Sequence, residues 1–390
     1  MKCELADICY YYKEKIEVSL LDDTNYISTE NMLPNKAGII RANSLPSSKT
    51  TQKYEKDDIL VSNIRPYFKK IWKASFDGGC SNDVLVFRAK ENISSDFLYY
   101  LLSNDEFFEY SMSTSKGTKM PRGDKEAIMR YKVPILELEE QEKVASLLSA
   151  LDEKIALNQK ISNNLEQQAQ TIFKSWFVDF QPFKDEDFDE SELGEIPKDW
   201  KISNLTNIAE YLNGLAMQKF RPLDGEKGIP VMKIKELRQG CCDNSSELCS
   251  PNIKNEYIIH DGDVIFSWSG SLLVDIWCGG TCGLNQHLFK VSSNKYDKWF
   301  YYMWTKYHLN RFIAIASDKA TTMGHIKREE LNKAKVLIPS KADYSKINSI
   351  LKPIFEMIIL NRIENQRLIM IRDHLIPKLM TGEIQIPLEV

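Results

Sequence analysis

The sequence predicts an α+β protein in which two similar, strand-rich mixed domains are joined by two long antiparallel coiled-coil helices, with an internal pseudo-two-fold repeat. Three observations predict this fold. The chain repeats itself once, each half contains short apolar runs typical of strands, and each half ends in an apolar seam of helical period. With 390 residues, of which 43% are hydrophobic, there is material for a core in each half.

The internal repeat is visible at a constant offset of 203 residues (285 − 82 = 203). The segment NDVLVF at 82–87 matches NQHLFK at 285–290, and FLYY at 97–100 matches FYYM at 300–303. Solenoid repeats are shorter, about 20–50 residues each. The offset therefore predicts two similar domains in one chain, and it suggests a ligand that itself has two similar halves.

The boundaries of the segments follow from the repeat and from local composition. Apolar runs such as Val84–Phe87, punctuated by Gly78-Gly79 and Asn82-Asp83, predict strands separated by turns. Helical spacing of apolar residues predicts one helix over Ser95–Glu109. The acidic, Pro-bounded stretch Gln181–Asp199 predicts a solvated linker. The predicted segments are a first domain at 1–136, a long helix at 137–180, the linker at 181–199, a second domain at 200–340, a second long helix at 341–381 and a tail at 382–390.

Each half ends in a seam with the alternating four- and three-residue spacing of a coiled coil, which predicts helices about 55–60 Å long. The first seam comprises Val144, Leu148, Leu151, Ile155, Asn158, Ser162, Leu165, Ala169, Ile172 and Trp176. The second seam comprises Ile347, Leu351, Ile354, Ile358, Asn361, Asn365, Leu368, Arg372, Leu375 and Leu379. Since the chain has no other coiled-coil segment, we predict that the two helices pair with each other in antiparallel orientation.

The seams contain polar residues and prolines that leave their details open. Asn158 and Asn361 occupy equivalent positions. A polar residue in an apolar seam can fix the register of the helices at a cost in stability, or it can face solvent where the seam is frayed. Pro353 predicts a kink or break early in the second helix, and Pro377 predicts a weaker end.

Composition and motifs exclude several classes of function. The net charge of −4 opposes nucleic-acid binding, but much of the acid lies at 183–195, so charge has to be judged locally. The chain has no Walker loop, dinucleotide fingerprint, Asn-Pro-Pro-aromatic tetrapeptide, nucleophile elbow or H-E-x-x-H helix. All five histidines lie in the second half, which disfavours a histidine-based catalytic site in a duplicated protein. We therefore predict a binding protein that is not an enzyme.

Cysteines and histidines give no strong metal signal. Cys278 and Cys282, with His260 and His287 nearby, could be interpreted as a zinc site, but their spacing fits no common template. We predict no metal site. Eight irregularly spaced cysteines, without a signal-peptide-like or membrane-spanning run, predict a cytoplasmic protein with free thiols.

The first candidate binding surface is a loop that recurs in both halves. Residues 113–124 (STSKGTKMPRGD) contain three cations, four hydroxyls and two glycines, and the counterpart at 317–328 is SDKATTMGHIKR. Lys and Arg contact phosphates or guanine edges, and Ser and Thr can contact either. A single stretch of this kind is usually a solvated loop. Its recurrence at the same place in both halves favours contact with nucleic acid.

The second candidate surface is the segment SNIRPYFKK at 62–70, whose counterpart SWSGSLL at 267–273 diverges. Surfaces that diverge after a shared strand suit domains that recognise different sequences. Asn285-Gln286 is a candidate adenine-reading pair, although its counterpart Asn82-Asp83 is equally compatible with an ordinary turn. The candidate DNA-contacting residues are Ser62, Asn63, Arg65, Lys69, Lys70, Asn82, Lys116, Gly117, Thr118, Lys119 and Arg122 in the first domain, and Ser267, Trp268, Ser269, Asn285, Gln286, Lys319, Thr321, Thr322, His325, Lys327 and Arg328 in the second.

Over nearly its whole length the chain resembles the specificity (S) subunits of type I restriction–modification systems. The resemblance rests on five motifs in the order of the family: VSNIRPYFKK at 61–70, GTKMPR at 117–122, LEEQE at 138–142, FKSWFVDFQPFK at 173–184 followed by SELGEIP at 191–197, and LIPKLMTGEI at 375–384. The second half departs from the family pattern in two ways, since it lacks the LEEQE motif and Pro353 interrupts its helix pattern, and these departures leave the start of the second helix open.

The resemblance implies two target-recognition domains, each of which binds one half of a bipartite, asymmetric DNA site, and a helical rod that sets the gap between the half-sites. It implies double-stranded DNA as the ligand. It further implies two modification subunits that bind S-adenosylmethionine and methylate adenine, and restriction subunits that translocate with ATP and Mg²⁺. This chain would itself hold no cofactor and would position DNA for a partner that flips the target base out of the duplex.

Two other classes of function remain open from the sequence. One is a structural adaptor that assembles proteins through its coiled coil, and the other is a nuclease with an unrecognised site. DNA binding that depends on the basic loop at 113–124 separates the first from a specificity subunit, and metal-dependent cleavage by the purified chain would support the second.

Overall fold

Short strands alternate with turns and helices in both halves of the computed structural model, which describes residues 2–318, 325–381, 383–384 and 386. The mixed α+β class predicted from the sequence is therefore confirmed. Within those residues, no helix combines the length and the apolar character needed to cross a membrane.

Two units make up the chain, one formed by Met1–Lys154 with Leu368–Val390 and the other by Ile155–Arg367. Each long helix is therefore divided between the units, whereas the sequence predicted the helices as segments separate from both domains. The first unit is built from two parts of the chain that are far apart in sequence.

The first unit contains two four-stranded sheets and one two-stranded sheet. Its elements are β1 (Lys2–Glu4), α1 (Leu5–Ile8), β2 (Cys9–Tyr11), β3 (Lys15–Glu17), β4 (Tyr26–Ile27), β5 (Thr50–Tyr54), β6 (Ile59–Ser62), β7 (Ile71–Lys73), β8 (Gly78–Cys80), β9 (Val84–Ala89), α2 (Ser95–Ser103), α3 (Asp105–Ser113), α4 (Lys125–Met129), β10 (Lys132–Pro134) and the first part of α5 (Leu138–Phe177). One sheet has the antiparallel order β2-β9-β6-β7, and the other has the order β3-β5-β8-β4 with β4 and β8 parallel.

Strand β9 is a continuous apolar run because both faces of its sheet are covered. Leu85 and Phe87 pack into the cluster that includes the helices, whereas Val84 and Val86 pack into a second cluster on the opposite face. The first cluster also takes in Leu148 from α5 and Ile376 from the second long helix, so the helices complete the core of this unit.

Two local predictions for this unit were wrong. Gly78 and Gly79 are buried inside β8 rather than in a turn, and a Cβ atom on Gly78 would lie 2.1 Å from the carbonyl oxygen of Asn25. The predicted helix at 95–109 is two helices, because Asn104 has an extended backbone (ψ 139°) and its side chain caps α3 by accepting from the amide of Glu106. The turn at Asn82-Asp83 is present as predicted.

The second unit repeats this architecture. Its elements are the remainder of α5, β11 (Phe188–Ser191), β12 (Gly194–Pro197), β13 (Lys201–Asn204), α6 (Leu205–Ile208), β14 (Glu210–Asn213), β15 (Ile229–Met232), α7 (Ile234–Gln239), β16 (Leu248–Cys249), β17 (Ile258–Ile259), β18 (Val264–Ser267), β19 (Leu273–Ile276), β20 (Cys282–Leu284), β21 (Leu288–Ser292), α8 (Lys298–Tyr307), α9 (Leu309–Asp318), α10 (Arg328–Asn332), β22 (Lys335–Ile338) and most of α11 (Lys341–Thr381). The sheet β14-β21-β18-β19 has the order and directions of β2-β9-β6-β7.

The second sheets of the two units differ at one edge. Strands β8 and β20 are equivalent, since each runs parallel to one neighbour and antiparallel to the other. In the first unit the extra strand, β3, joins the antiparallel neighbour, whereas in the second unit the extra strand, β16, joins the parallel neighbour. The internal repeat is therefore confirmed as a structural repeat, to which the second unit adds helix α7 and the hairpin β11–β12, without a counterpart among the described elements of the first unit.

The stretch predicted as a solvated linker is an ordered part of the second unit. Its acidic side chains are mostly exposed, as predicted, but it forms a 3-10 turn at Gln181–Phe183 and the hairpin β11–β12. Phe183 is fully buried, with its ring centroid 5.7 Å from that of Trp176 and 5.1 Å from that of Trp200. The acidic composition concealed these apolar anchors.

Both long helices are continuous, with 40 residues in α5 and 41 in α11. The break that was one of the two predictions for Pro353 does not occur, and α11 also continues through Pro377. Pro353 is exposed, and so is Ser349, whose carbonyl loses its helical hydrogen bond and can be hydrated instead. The flanking Leu351 and Phe355 are buried, and this packing outweighs the local preference of proline.

The predicted seams are the buried faces of the helices, because every residue named on them is buried or half-buried. The pairing is antiparallel. Near the start of the second unit the carbonyl oxygen of Ile155 accepts from Nδ2 of Asn365 (3.1 Å), and further along α5 Glu166 pairs with Arg362, which lies earlier in α11.

A polar layer interrupts the apolar seam in the second unit. Asn158, Ser162, Asn361 and Asn365 are each at least nine-tenths buried, so the solvent-facing alternative for the two asparagines was wrong. Asn158 donates to a carboxylate oxygen of Glu364 (2.6 Å) rather than to Asn361. Nδ2 of Asn361 and Oδ1 of Asn365 have no hydrogen-bond partner among the described residues. A layer of this kind destabilises the pair but favours one register.

Arginines of α11 attach the helix pair to the domains. In the second unit, Arg362 binds Glu166 of α5 at 2.5 Å and Asp275 of β19 at 2.8 Å. In the first unit, Arg372 binds Asp152 of α5 at 2.7 Å, and Asp152 also accepts a hydrogen bond from the hydroxyl of Tyr100 (2.9 Å). Burial, followed by the charge of Asp152, raises the pKa of Tyr100 above its ordinary value, so this hydroxyl remains a donor.

Candidate nucleic-acid interface

The 62–70 loop follows β6 and is built around a 3-10 turn at Pro66–Phe68. Arg65 and Lys69 flank this turn, and both have a φ of 50°, in the left-handed region that residues other than glycine seldom adopt. The turn is closed by hydrogen bonds from the amide of Phe68 to the carbonyl of Arg65 (2.9 Å) and from the amide of Lys69 to that of Pro66 (2.8 Å).

The 113–124 loop docks directly on the 62–70 loop. Lys116 and Arg122 exchange two backbone hydrogen bonds of 2.9 Å, which close the GTKMP segment into a tight excursion. The amide of Arg65 donates to the carbonyl of Pro121 (2.8 Å), and the amide of Gly123 donates to that of Asn63 (3.1 Å). The two candidate surfaces of the first domain are therefore one surface.

The turn at Asn82-Asp83 joins the same surface. The amide of Asn63 donates to the carbonyl of Asp83 (2.8 Å), and the guanidinium of Arg122 lies 3.1 Å from the carboxylate of Asp83. Asn82 is exposed beside them. The segments 62–70, 82–83 and 113–124, which the sequence indicated as separate candidates, are therefore in contact.

Most of the lysines on this surface have partners within the protein, which the sequence did not indicate. Lys116 pairs with Asp124 at 2.6 Å, Lys69 pairs with Asp105 at 2.6 Å, and Nζ of Lys70 donates to the carbonyl of Thr29. The hydrogen bond to Asp124 raises the pKa of Lys116, and burial lowers that of Lys70. Lys119 is exposed and has no ion-pair partner within the described segments.

Two residues of this domain that were predicted to contact DNA are buried beneath the surface. Ser62 and Asn63 are only 4% and 8% exposed, and the hydroxyl of Ser62 donates to the carbonyl of Ile64 (3.1 Å). Oδ1 of Asn63 and Nε of Arg65 have no hydrogen-bond partner in the described part of the chain. Gly117 has a φ of 93°, so glycine is required where the docked loop turns.

The second unit contains the same loop junction with different side chains. Ser269 pairs with His325 as Ile64 pairs with Arg122, and the amide of Ile326 donates to the carbonyl of Trp268 (3.2 Å). Ser267 and Ser269 are almost fully buried, as is Asn285, so these three predicted contact residues lie beneath the surface.

A polar and aromatic cluster occupies the junction of the second unit. The hydroxyl of Ser269 lies 3.0 Å from Nδ1 of His287, whose Nε2 lies 3.3 Å from the amide nitrogen of Gln286. The indole N–H of Trp268 donates to Oδ1 of Asn213 (3.0 Å). Sequence reasoning missed Asn213 as a site residue and considered His287 only as a metal ligand.

Two lysines beside this cluster were also missed. A depression of about 270 Å³ is lined by Gln218, Lys233, Lys235, Asn285, Gln286 and His287, among others. Lys233 pairs with Glu247, and Lys235 lies 3.1 Å from Asp243. The KIK sequence at the start of α7 was the available signal, but only the fold brings it beside residues 285–287.

The remaining predicted residues of the second domain are not all in this cluster. Arg328 lines a separate depression with Tyr211 and Asn332, and its guanidinium donates to the carbonyl of Tyr211 (3.3 Å). Lys327 is exposed at the start of α10. Lys319, Thr321 and Thr322 lie outside the described residues.

The alternative zinc site is not assembled in the described part of the chain, where no group of three metal-ligating side chains occurs. Cys278 and Cys282 belong to different hydrophobic clusters, and the ring of His260 is 3.5 Å from the hydroxyl of Thr281. All eight cysteines are free thiols, and burial raises the pKa of Cys278 to about 11.

Comparisons with known proteins match both halves of the chain. A family model described as the type I restriction modification DNA specificity domain matches residues 2–167 and 197–369. The type I restriction enzyme MjaIX specificity subunit of Methanocaldococcus jannaschii is 32% identical over 311 residues, which cover 76% of this chain and 71% of that protein. The HindI specificity subunit of Haemophilus influenzae is 24% identical over 452 residues, which cover 97% and 98%.

A solved structure shares the fold as well. The S subunit of a type I restriction–modification system from M. genitalium superposes with a TM-score of 0.56 at 15% identity, over 97% of this chain and 96% of that one. The two family-model matches coincide with the two structural repeats. The chain therefore belongs to the family of type I restriction–modification DNA specificity subunits.

Proposed function

We propose that each unit of this DNA-sequence-specificity subunit recognises one half of a bipartite, asymmetric DNA site, and that the two long helices set the gap between the half-sites. One observation carries this proposal. The same loop junction, Ile64 with Arg122 and Ser269 with His325, recurs in both units with different side chains on it. A shared scaffold with divergent side chains suits two domains that bind the same polymer but different sequences.

The length of the helices suits this task. At about 1.5 Å per residue, the 40 residues of α5 span roughly 60 Å. Half-sites on one face of B-DNA are about 34 Å apart for each helical turn. A helix of this length therefore exceeds one turn of DNA and leaves room for the attachment of a domain.

The exposed groups at the junctions suggest a division of labour. In the first unit, Lys119 and Thr118 suit phosphate contact, and Asn82 is the exposed side chain best suited to a base edge. In the second unit, the half-buried Gln286 lies next to His287, at a depression flanked by lysines. Beneath these surfaces lie buried polar residues that position the exposed ones: Ser62, Asn63, Ser267, Ser269 and Asn285.

The first test is to replace Lys116, Lys119 and Arg122 together by Ala. We expect the assembled complex to bind its DNA site about 10–100-fold more weakly, and the plot of log affinity against log salt to be shallower by up to about three, since roughly one counterion is released for each phosphate contact. The ion pairs of Lys116 and Arg122 within the protein keep the expected loss below that of three free cations.

A matched triple variant at Lys13, Lys15 and Lys49, which are exposed lysines of the same unit, should leave affinity and salt dependence nearly unchanged. If both triple variants behave like the wild-type protein, the junction is not a DNA surface, and an adaptor that only assembles proteins becomes the better interpretation. DNA cleavage by the purified chain alone would instead favour a nuclease.

We further propose that the chain is not itself catalytic and that partner subunits supply the chemistry. Modification subunits would bind S-adenosylmethionine and methylate adenine, and restriction subunits would use ATP and Mg²⁺. In support, the described residues contain no cluster of metal-ligating side chains, and the carboxylate of Asp83 and the ring of His287 are held by an ion pair and a local hydrogen bond.

The helices carry duplicated apolar positions that suit two copies of one partner. Leu157 and Leu360 are equivalent in the repeat and are 53% and 60% exposed, and Leu147 and Ile350 form a second equivalent exposed pair. A single exposed leucine on a helix is ordinary, but exposed apolar residues at equivalent positions in both halves suggest a contact surface that is duplicated. Because each position occurs twice, two modification subunits bound to equivalent sites account for the pattern.

Replacing Leu157 by Asp and Leu360 by Asp tests this stoichiometry. We expect each single variant to weaken the binding of one modification subunit by at least about tenfold, since each site loses the apolar surface of a half-exposed leucine and gains a charge that the partner would have to desolvate. The double variant should bind neither copy in native mass spectrometry. Leu20→Asp, at an exposed leucine of the first domain, serves as the control. Two copies retained on the double variant would place the partner elsewhere.

A further inference from the structure

Two neighbouring aromatic side chains project from the 62–70 loop without a place in any core. Tyr67 is 48% exposed and Phe68 is 36% exposed, and their ring centroids are 4.6 Å apart with the planes inclined by 52°. Neither residue belongs to a hydrophobic cluster of the first unit. Hydration of exposed aromatic rings is unfavourable compared with their burial. A pair of such rings on a short turn therefore points to a ligand that covers it.

The turn that bears these rings is braced by a second segment of the unit. The amides of Asn35 and Lys36 donate to the carbonyls of Phe68 (2.8 Å) and Lys69 (2.9 Å). Asn35 and Lys36 have φ values of 55° and 62°, so with Arg65 and Lys69 they account for four of the eight non-glycine residues with positive φ in the described chain. Backbone strain of this kind persists where surrounding contacts enforce it, and it is concentrated at functional sites.

Cations surround the aromatic pair. Asp105 joins the two braced segments by binding Lys36 at 2.8 Å and Lys69 at 2.6 Å. The ammonium of Lys70 lies 5.8 Å from the centroid of the Phe68 ring. Arg65 precedes the turn and is hydrogen-bonded through its amide to the 113–124 loop. Rigid aromatic rings among cations suit a ligand that is both anionic and stacked, which describes nucleic acid better than an apolar protein groove.

We propose that Tyr67 and Phe68 form a wedge that enters the base stack of the half-site bound by the first unit and separates two adjacent base pairs there. This inference rests on the proposed DNA-binding role of the loop junction. Side chains that enter a DNA stack unstack the neighbouring bases and bend the duplex. A partner that acts on a base must take that base out of the stack. Unstacking of a nearby base step therefore lowers the free energy that the partner needs to flip its target base.

The second unit has no equivalent wedge. At the position of Arg65 it has Gly270, with a φ of 65°, so the left-handed bend is kept while the side chain is lost. The positions of Tyr67 and Phe68 are taken by Leu272 and Leu273, and Leu273 already belongs to strand β19. The one aromatic residue of this loop, Trp268, is half-buried and hydrogen-bonded to Asn213. Unstacking by a wedge is therefore expected only in the half-site of the first unit.

The test uses the complex of the full chain with its modification subunits, and duplexes that contain the methylated site of the system. 2-Aminopurine, whose fluorescence rises when it is unstacked, replaces one adenine at a time across each half-site. For the wild-type chain we expect a rise wherever a modification subunit flips its target adenine, and one further rise, at a neighbouring step, in the half-site of the first unit only. The double variant Tyr67→Ala with Phe68→Ala should lose this rise and bind about 5–100-fold more weakly, with an unchanged salt dependence, because stacking rather than phosphate contact is removed.

Two control variants distinguish the loss of the wedge from a general effect of removing an exposed tyrosine. Tyr67→Phe retains the ring and should retain the fluorescence rise, and Tyr10→Ala, at a tyrosine of the same unit that is 42% exposed, should behave like the wild-type chain. If the double alanine variant still produces the rise at wild-type affinity, the wedge is ruled out. A wild-type chain that binds specifically and gives a rise only at the flipped adenines also overturns the wedge while leaving the proposed function intact. Failure of the wild-type complex to bind the site would instead contradict the proposed function itself.

Discussion

Replacing Phe183 by Ala should lower the free energy of unfolding of the second unit by about 3–5 kcal/mol. The side chain is fully buried, and its ring contacts Trp176 and Trp200, so truncation leaves a cavity between α5 and the residue that precedes β13. The same change should lower the melting temperature by roughly 2–4 °C for each kcal/mol in a unit of this size. Urea unfolding followed by tryptophan fluorescence measures the loss directly.

The matched control is Leu193→Ala in the same acidic segment. Leu193 is 50% exposed, so its truncation should change stability by no more than about 0.5 kcal/mol. Equal, small effects at both positions would mean that residues 181–199 are the solvated linker that their composition suggested, and that Phe183 does not anchor them.

Replacing Arg362 by Met should destabilise the second unit by about 2–4 kcal/mol. The variant leaves the carboxylates of Glu166 and Asp275 without their shared cation. Removing one partner of a buried ion pair typically costs about 3–5 kcal/mol, and this estimate is lower because the three side chains are 23–33% exposed. Chemical denaturation of the variant, with the wild-type chain alongside, gives the value.

A second substitution separates the ion network from simple packing. Adding Glu166→Gln to Arg362→Met removes a carboxylate whose remaining cation, Lys306, is 4.0 Å away, so the double variant should recover part of the lost stability. Arg367→Met, at an exposed arginine one turn or so further along α11, should have little effect. A double variant that is less stable than Arg362→Met would show that the carboxylate of Glu166 is stabilised by something other than Arg362.

The elements with the strongest periodicity were predictable from the sequence. The seam of α5 and α11 was predicted because burial of a helix depends on a spacing that any long amphipathic helix must obey. The continuity of α11 through Pro353 was not predictable, because the local cost of proline is outweighed by the burial of Leu351 and Phe355 on either side. Similarly, Phe183 was hidden in a segment whose average composition is acidic, although one buried ring decides where it packs.

The candidate interface was predictable as a set of segments but not as a surface. The 203-residue offset selected the loops at 62–70 and 113–124 and their counterparts, and the structure joins each pair at equivalent residues. Exposure could not be predicted, because Ser62 and Asn63 are buried by a loop about 60 residues away in sequence. Asn213 and Lys233 were missed since only the fold brings them to Trp268 and to Gln286.

The division of both long helices between the units has a consequence for how the chain is made. The first core includes Leu148 from α5 and Ile376, Leu379 and Met380 from α11. A ribosome that adds about 5–20 residues per second needs roughly 11–43 s for the 214 positions between Lys154 and Leu368 (368 − 154 = 214). During that interval the apolar surface that will meet α11 is uncovered, whereas the second unit is continuous in sequence. The unit that is begun first during translation is thus the last to be completed.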